Sequence, residues 1–215
     1  AAADLDAWVR TNTAGLIEKS GMLVTPETRA VVQDAVLFAA AWEQEFTYEP
    51  TLPFHAPDGD KDVSYVSGTP EARWADGDRW RAVRLSYDGV LAADVILPNE
   101  GVAPNQLTAE ELADATRELG ASGPDAGMVV MPSFDVAAGV DLLEGLPGLD
   151  LDHLDGILPN GYLEQWSQQA RLQVSAKGTV GAAVTEAGAA GGAVPTEPFL
   201  VDRPYVFRVL DTRTG

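Results

Sequence analysis

The chain has no cysteine, which excludes disulfides, thiol nucleophiles and thiolate metal sites. Histidine is nearly absent too. His55 and His153 stand apart among loop-forming residues, without the spacing of a zinc site. Positive charge is scarce: 14 Lys and Arg face 33 Asp and Glu, a formal net charge of −19. Phosphate backbones and anionic lipid surfaces need a basic patch, so neither nucleic acid nor membrane is expected as a partner. No apolar run approaches the ~20 residues that cross a bilayer. The first residues lack the charged-then-apolar order of a signal peptide, and there is no Asn-x-Ser/Thr sequon. The G-x-S-x-G elbow, the P-loop and G-x-G-x-x-G are missing as well, so no enzyme constellation is visible. Asp58, Asp60 and Asp62 alternate like a calcium loop, as do Asp150 and Asp152 ahead of Asp155-Gly156. Thr69 and Gly161 stand where the closing glutamate belongs, so both read as solvated acidic loops, and no cofactor is expected.

What is present suits a packed core, with hydrophobic residues at 46% of 215. Leu5, Trp8, Val9, Leu16 and Ile17 recur at helical intervals before Gly21. Thr28–Phe38 is valine-rich and reads as a buried strand. Prolines at 50, 53 and 57 make the stretch to Gly68 loop-rich with short strands. Strands are predicted around Ala72–Trp74, Trp80–Tyr87 and Val90–Leu97, the last two joined by the hairpin signal Asp88-Gly89. Leu107–Leu119 has helical spacing, with Thr108 and Glu111 as a capping box. Met128–Phe134 reads as a strand, Val136–Leu143 as a helix, Gln168–Ala176 as an alternating strand and Tyr205–Leu210 as a final strand. From Lys177 to Pro195 the chain is almost wholly Gly, Ala, Val and Thr. Strands and helices without βα alternation predict an α+β fold.

Three segments, in order, carry a family resemblance. AVVQDAVLFAAAWEQEF (Ala30–Phe46) resembles the central strand of the serpins and the Trp-Phe element after it. VSAKGTVGAAVTE (Val174–Glu186) resembles the hinge that opens their reactive-centre loop, and PFLVDRPYVFRVLDTRTG (Pro198–Gly215) resembles their carboxy-terminal signature. DLDAWVRTNTAGLI and MVVMPSFDV also resemble serpin segments, so the likeness runs along nearly the whole chain. It implies a single, partial serpin-like domain over 1–215, without the amino-terminal helices and early strands or the last strand of that fold.

The resemblance further implies inhibition of a serine protease that cleaves the loop, 177–197, and is trapped as an acyl-enzyme. The loop then enters the large sheet as a new strand. In the hinge Ala176, Lys177, Gly178, Thr179, Val180, Gly181, Ala182, Ala183, Val184 and Thr185, the residues from Gly178 on are small. None is proline, so each backbone N–H can join a ladder. Family spacing places the scissile region at Gly191, Gly192, Ala193 and Val194, which suits an elastase-like or subtilisin-like pocket. Asp34 and Gln168 occupy the shutter positions where the family pairs Asn with His. Ala176 and Val180 stand where acidic residues are common, and the glycines at 181, 191 and 192 raise loop entropy. A non-inhibitory serpin-like protein, whose loop is only a substrate, therefore stays open beside the inhibitor.

Overall fold

The computed structural model describes residues 2–29, 31, 33, 38–145, 165–179 and 197–215. In chain order these hold α1 (Ala2–Asn12), β1 (Ala40–Ala41), β2 (Thr47–Ala56), β3 (Gly59–Gly68), β4 (Glu71–Asp76), β5 (Trp80–Ser86) and β6 (Leu91–Pro98). There follow α2 (Ala109–Ala121), β7 (Pro124–Ala126), β8 (Val129–Pro132), β9 (Phe134–Asp141) and the single turn α3 (Leu142–Gly145). The last are β10 (Ser167–Ser175), β11 (Gly178–Thr179), β12 (Phe199–Leu200) and β13 (Val206–Asp211). The chain divides into two compact units, Ala1–Phe38 with Asp135–Leu172, and Ala39–Phe134 with Gln173–Gly215.

In the first unit α1 ends at Asn12, earlier than the apolar spacing to Ile17 predicts. Ala14 and Gly15 take positive φ angles of 50° and 83°, a left-handed turn that no helix continues through. The Thr13 hydroxyl donates to the Val9 carbonyl at 2.7 Å and accepts the Ile17 N–H at 3.1 Å, closing that turn. Of the strand expected over Thr28–Phe38, residues 30, 32 and 34–37 lie outside the described set, and the others are not in a strand. Of the helix expected over Val136–Leu143, only Leu142 and Leu143 are helical, and Val136–Asp141 is strand. Val136, Ala138 and Val140 alternate, and β9 extends to Asp141 beside β10. Arg171 of β10 grips both carboxylate oxygens of Asp135 of β9, through Nε at 2.8 Å and Nη2 at 2.6 Å. The Leu142 N–H donates to the Trp166 carbonyl at 2.7 Å where the strand gives way to α3.

The second unit holds two further sheets, ordered β12-β8-β3-β2 and β13-β6-β5-β4-β7. The proline-rich stretch around 50 is a long hairpin rather than loops. β2 and β3 pair from Thr47↔Ser67 to Ala56↔Gly59. Prolines are admitted because β2 is the edge strand, with a register shift between Glu49 and Leu52. The hairpin expected at Asp88-Gly89 is present, with Gly89 at φ 100° and the Tyr87 N–H donating to the Leu91 carbonyl at 3.0 Å. β6 is buried along nearly its full length.

One face of β5 and β6 is covered by α2, whose Leu112, Ala115 and Leu119 meet Trp80, Ala82 and Ile96. The capping box is as the sequence predicts. The Thr108 hydroxyl accepts the Glu111 N–H, and the Glu111 carboxylate accepts the Thr108 N–H at 2.7 Å. Asp94, in the middle of apolar β6, is wholly buried. Arg84 of β5 and Arg208 of β13 are both its direct cross-strand partners. Arg84 holds both carboxylate oxygens at 2.6 and 3.0 Å, and Arg208 holds one of them at 2.7 and 3.0 Å. Arg208 also donates to the Thr116 hydroxyl at 2.6 Å, which ties α2 to the sheet.

Candidate functional site

The site lies where β10 ends. After Ser175 the chain turns through Ala176 and Lys177 and returns as β11, pairing Val174↔Thr179 and Ser175↔Gly178. Its other edge pairs with β1, Ala40↔Thr179 and Ala41↔Gly178. Gly178 and Thr179 therefore form a strand between two strands. The turn is clasped on several sides. The Ser175 hydroxyl donates to the Gly178 carbonyl at 3.0 Å. The Ala176 carbonyl accepts the Phe46 N–H at 2.8 Å, and the Lys177 carbonyl accepts the Trp42 N–H at 3.0 Å.

Only small residues permit this approach. Gly178 has φ 147°, and a Cβ there would meet the Ala40 carbonyl oxygen and the Ala41 Cα.

Behind β11 lies an aromatic pair. Trp42 stacks on Tyr87 with ring centroids 4.3 Å apart and planes 8° from parallel, and Phe46 meets the same indole edge-on. The Trp42 indole N–H donates to the Ser175 carbonyl at 2.9 Å. The Tyr87 phenol and the Thr179 hydroxyl lie 2.6 Å apart, and both residues are buried. Burial raises the Tyr87 ionisation well above the ordinary tyrosine range, the bond to Thr179 offsetting part of the rise.

Of the residues singled out from the sequence, Ala176, Lys177, Gly178 and Thr179 come together here. Val180, Gly181, Ala182, Ala183, Val184, Thr185, Gly191, Gly192, Ala193, Val194 and Asp34 lie outside the described residues, as does His153. Gln168 sits exposed in β10. Tyr87 was not foreseen. Its one signal was position, an aromatic residue directly ahead of the Asp88-Gly89 turn and so fixed at the end of a hairpin strand.

The acidic hairpin turn shows no ligand set. Asp58 pairs with Lys61 at 2.7 Å and Asp60 with His55 at 2.8 Å. The hydrogen bond and charge of Asp60 raise the exposed His55. Among the described residues no group of three or more His, Asp or Glu is placed to hold a metal ion. No helix among them is long and apolar enough to cross a membrane.

A family model described as serpin (serine protease inhibitor) matches residues 1–215. The chain belongs to the serpin family. It is 28% identical over 233 residues to an uncharacterized serpin-like protein of Thermococcus kodakarensis, covering 100% of this chain and 54% of that one. It is 28% identical to human glia-derived nexin over 98% of this chain and 59% of the relative. Bovine leukocyte elastase inhibitor is 27% identical over 94% of this chain and 60% of its own. Among solved structures, the native state of the thermophilic serpin tengpin superposes with a TM-score of 0.76 at 21% identity, over 99% of this chain and 60% of that one. Thyroxine-binding globulin with thyroxine gives 0.77 at 20%, over 98% and 60%. These two likenesses concern the fold. The chain spans a little over half the length of the relatives it matches.

Proposed function

We propose that the chain carries the reactive loop of a serine-protease inhibitor that works by cleavage, acyl-enzyme trapping and strand insertion. The observation that supports this most is the place of Gly178 and Thr179, paired on both edges between Ala40–Ala41 and Val174–Ser175. A chain that continues from there almost wholly with Gly, Ala, Val and Thr, and with no proline before Pro195, can extend the same strand, each residue adding ladder bonds. On attack, the protease serine oxygen bonds to the carbonyl carbon of the residue before the cut, read as Gly192. The peptide bond to Ala193 breaks, and its nitrogen leaves as a free amine. The acyl bond then travels with the inserting strand.

Small residues at Gly191–Val194 suit a shallow primary pocket, elastase-like or subtilisin-like. A relative named leukocyte elastase inhibitor agrees with that class. No cofactor enters the scheme.

The reading in which the loop is only a substrate draws on Ala176, Val180 and the glycines at 181, 191 and 192. Extra backbone freedom must be given up on insertion, which slows it and gives hydrolysis time to finish.

Insertion has a thermal signature. A ladder bond contributes ~1 kcal/mol, and each kcal/mol moves the midpoint by ~2–4 °C at this chain length. Cleaving the loop with a catalytic amount of subtilisin-like protease is therefore expected to raise the unfolding midpoint by about 10 °C or more. A midpoint that stays or falls after complete cleavage would remove the insertion step from the account.

A further inference from the structure

We infer that the Tyr87 phenol and the Thr179 hydroxyl form a latch holding Gly178 and Thr179 of the hinge in the sheet of the uncleaved chain, which makes Tyr87 a positioning residue for the loop. The inference rests on reading Gly178 and Thr179 as part of the hinge of that loop.

β11 is two residues long, and so short a strand is poorly held by its own ladder bonds. Thr179 is 0% exposed. A buried hydroxyl without a partner is costly, and Tyr87 at 2.6 Å supplies the partner. Leaving the sheet would break that bond; staying in keeps both hydroxyls satisfied.

Tyr87 is itself fixed. Its ring lies against Trp42 at 4.3 Å, its backbone bridges to Trp42, and its N–H closes the hairpin at Leu91. Trp42 in turn binds the Ser175 carbonyl through its indole and the Lys177 carbonyl through its backbone. One aromatic pair thus holds the end of β10, the turn and the first residues of β11. The consequence is one of register. In a strand a slip of one residue turns every side chain to the opposite face, and a latched Thr179 sets the register before the remaining residues follow.

The test is hydrogen–deuterium exchange on the full chain, without protease. It compares a peptide covering 174–179 with one covering Ala93–Leu97 in β6. Tyr87→Phe and Thr179→Val are each expected to speed exchange of the Gly178 and Thr179 amides about tenfold, the loss of one buried neutral hydrogen bond. The β6 peptide should be unchanged. The double variant should match either single one, because both remove the same bond, and Thr179→Ser should restore the parent rate because it keeps the hydroxyl. Parent-like exchange in the single variants would overturn the latch. So would an equal rise in β6, an additive double variant, or a Thr179→Ser that behaves as Thr179→Val. Because no protease is present, the result is separate from whether trapping occurs.

Discussion

An Asp94→Ala chain is expected to lose about 3–5 kcal/mol of unfolding free energy, the cost of removing one partner from a buried ion pair. The Asp94 side chain is 0% exposed, and that of Arg84 is 8% exposed. Arg208 closes on the same carboxylate from the opposite strand. Deleting the carboxylate leaves two guanidiniums side by side and repelling each other, Arg84 stripped of that acceptor and Arg208 left with the Thr116 hydroxyl and the Leu112 carbonyl. Arg84, buried without its counter-charge, must reach water by disturbing β5 and β6. The link from Arg208 to Thr116 would loosen as well, and with it the seat of α2. Asp94→Asn keeps the shape but not the charge, and is expected to lose a large part of the same energy. Urea titration followed by tryptophan fluorescence measures both. A loss below about 1 kcal/mol for both variants would place this cluster with surface ion pairs in strength and contradict the reading of it as the buried fastening of the sheet.

The second large effect is expected at Gly178. A Gly178→Ala side chain meets the Ala40 carbonyl oxygen and the Ala41 Cα, both backbone atoms that cannot rotate away. The φ of 147° is unfavourable for any residue with a Cβ. Backbone strain of this kind costs about 1–3 kcal/mol at a single residue, and the clash adds to it. The prediction is local rather than global: β11 should leave its place between β1 and β10, while β5 and β6 stay paired. Exchange of the Gly178 and Thr179 amides should approach that of an open segment, a larger change than losing the Tyr87 bond produces. Protection equal to the parent's would mean that the hinge is not closely packed on β1.

How much of this was legible in the residues depended on range. The Thr108–Glu111 box and the Asp88-Gly89 turn are signals contained within a few residues, and α2 and the β5–β6 hairpin follow from them. Val136–Val140 alternates but also contains Ala-Ala-Gly, and its strand character comes from lying beside β10, a partner some thirty positions away. The prolines near residue 50 argued for loops because edge position cannot be seen in a sequence. The Gly/Ala/Val/Thr run after Lys177 was legible as composition, and its reading as a hinge came from family likeness. Its pairing with Ala40–Ala41 was not, since it joins residues far apart in the chain. The same holds for Tyr87 with Thr179 and for Arg84, Asp94 and Arg208, three charges made neighbours by register alone. A lone aspartate in the run LAADVILP was the only hint of the last.

Cleavage of the loop is expected to trap the attacking protease. The most direct measurement is to incubate the chain with an elastase-like and a subtilisin-like serine protease and separate the products on a denaturing gel. The account predicts a band at the summed mass of protease and chain, less the released carboxy-terminal peptide, that survives boiling in detergent and is missing when the protease serine has been blocked beforehand. Complete cleavage near Gly192 with the protease fully active and no such band would contradict it and leave the loop a substrate.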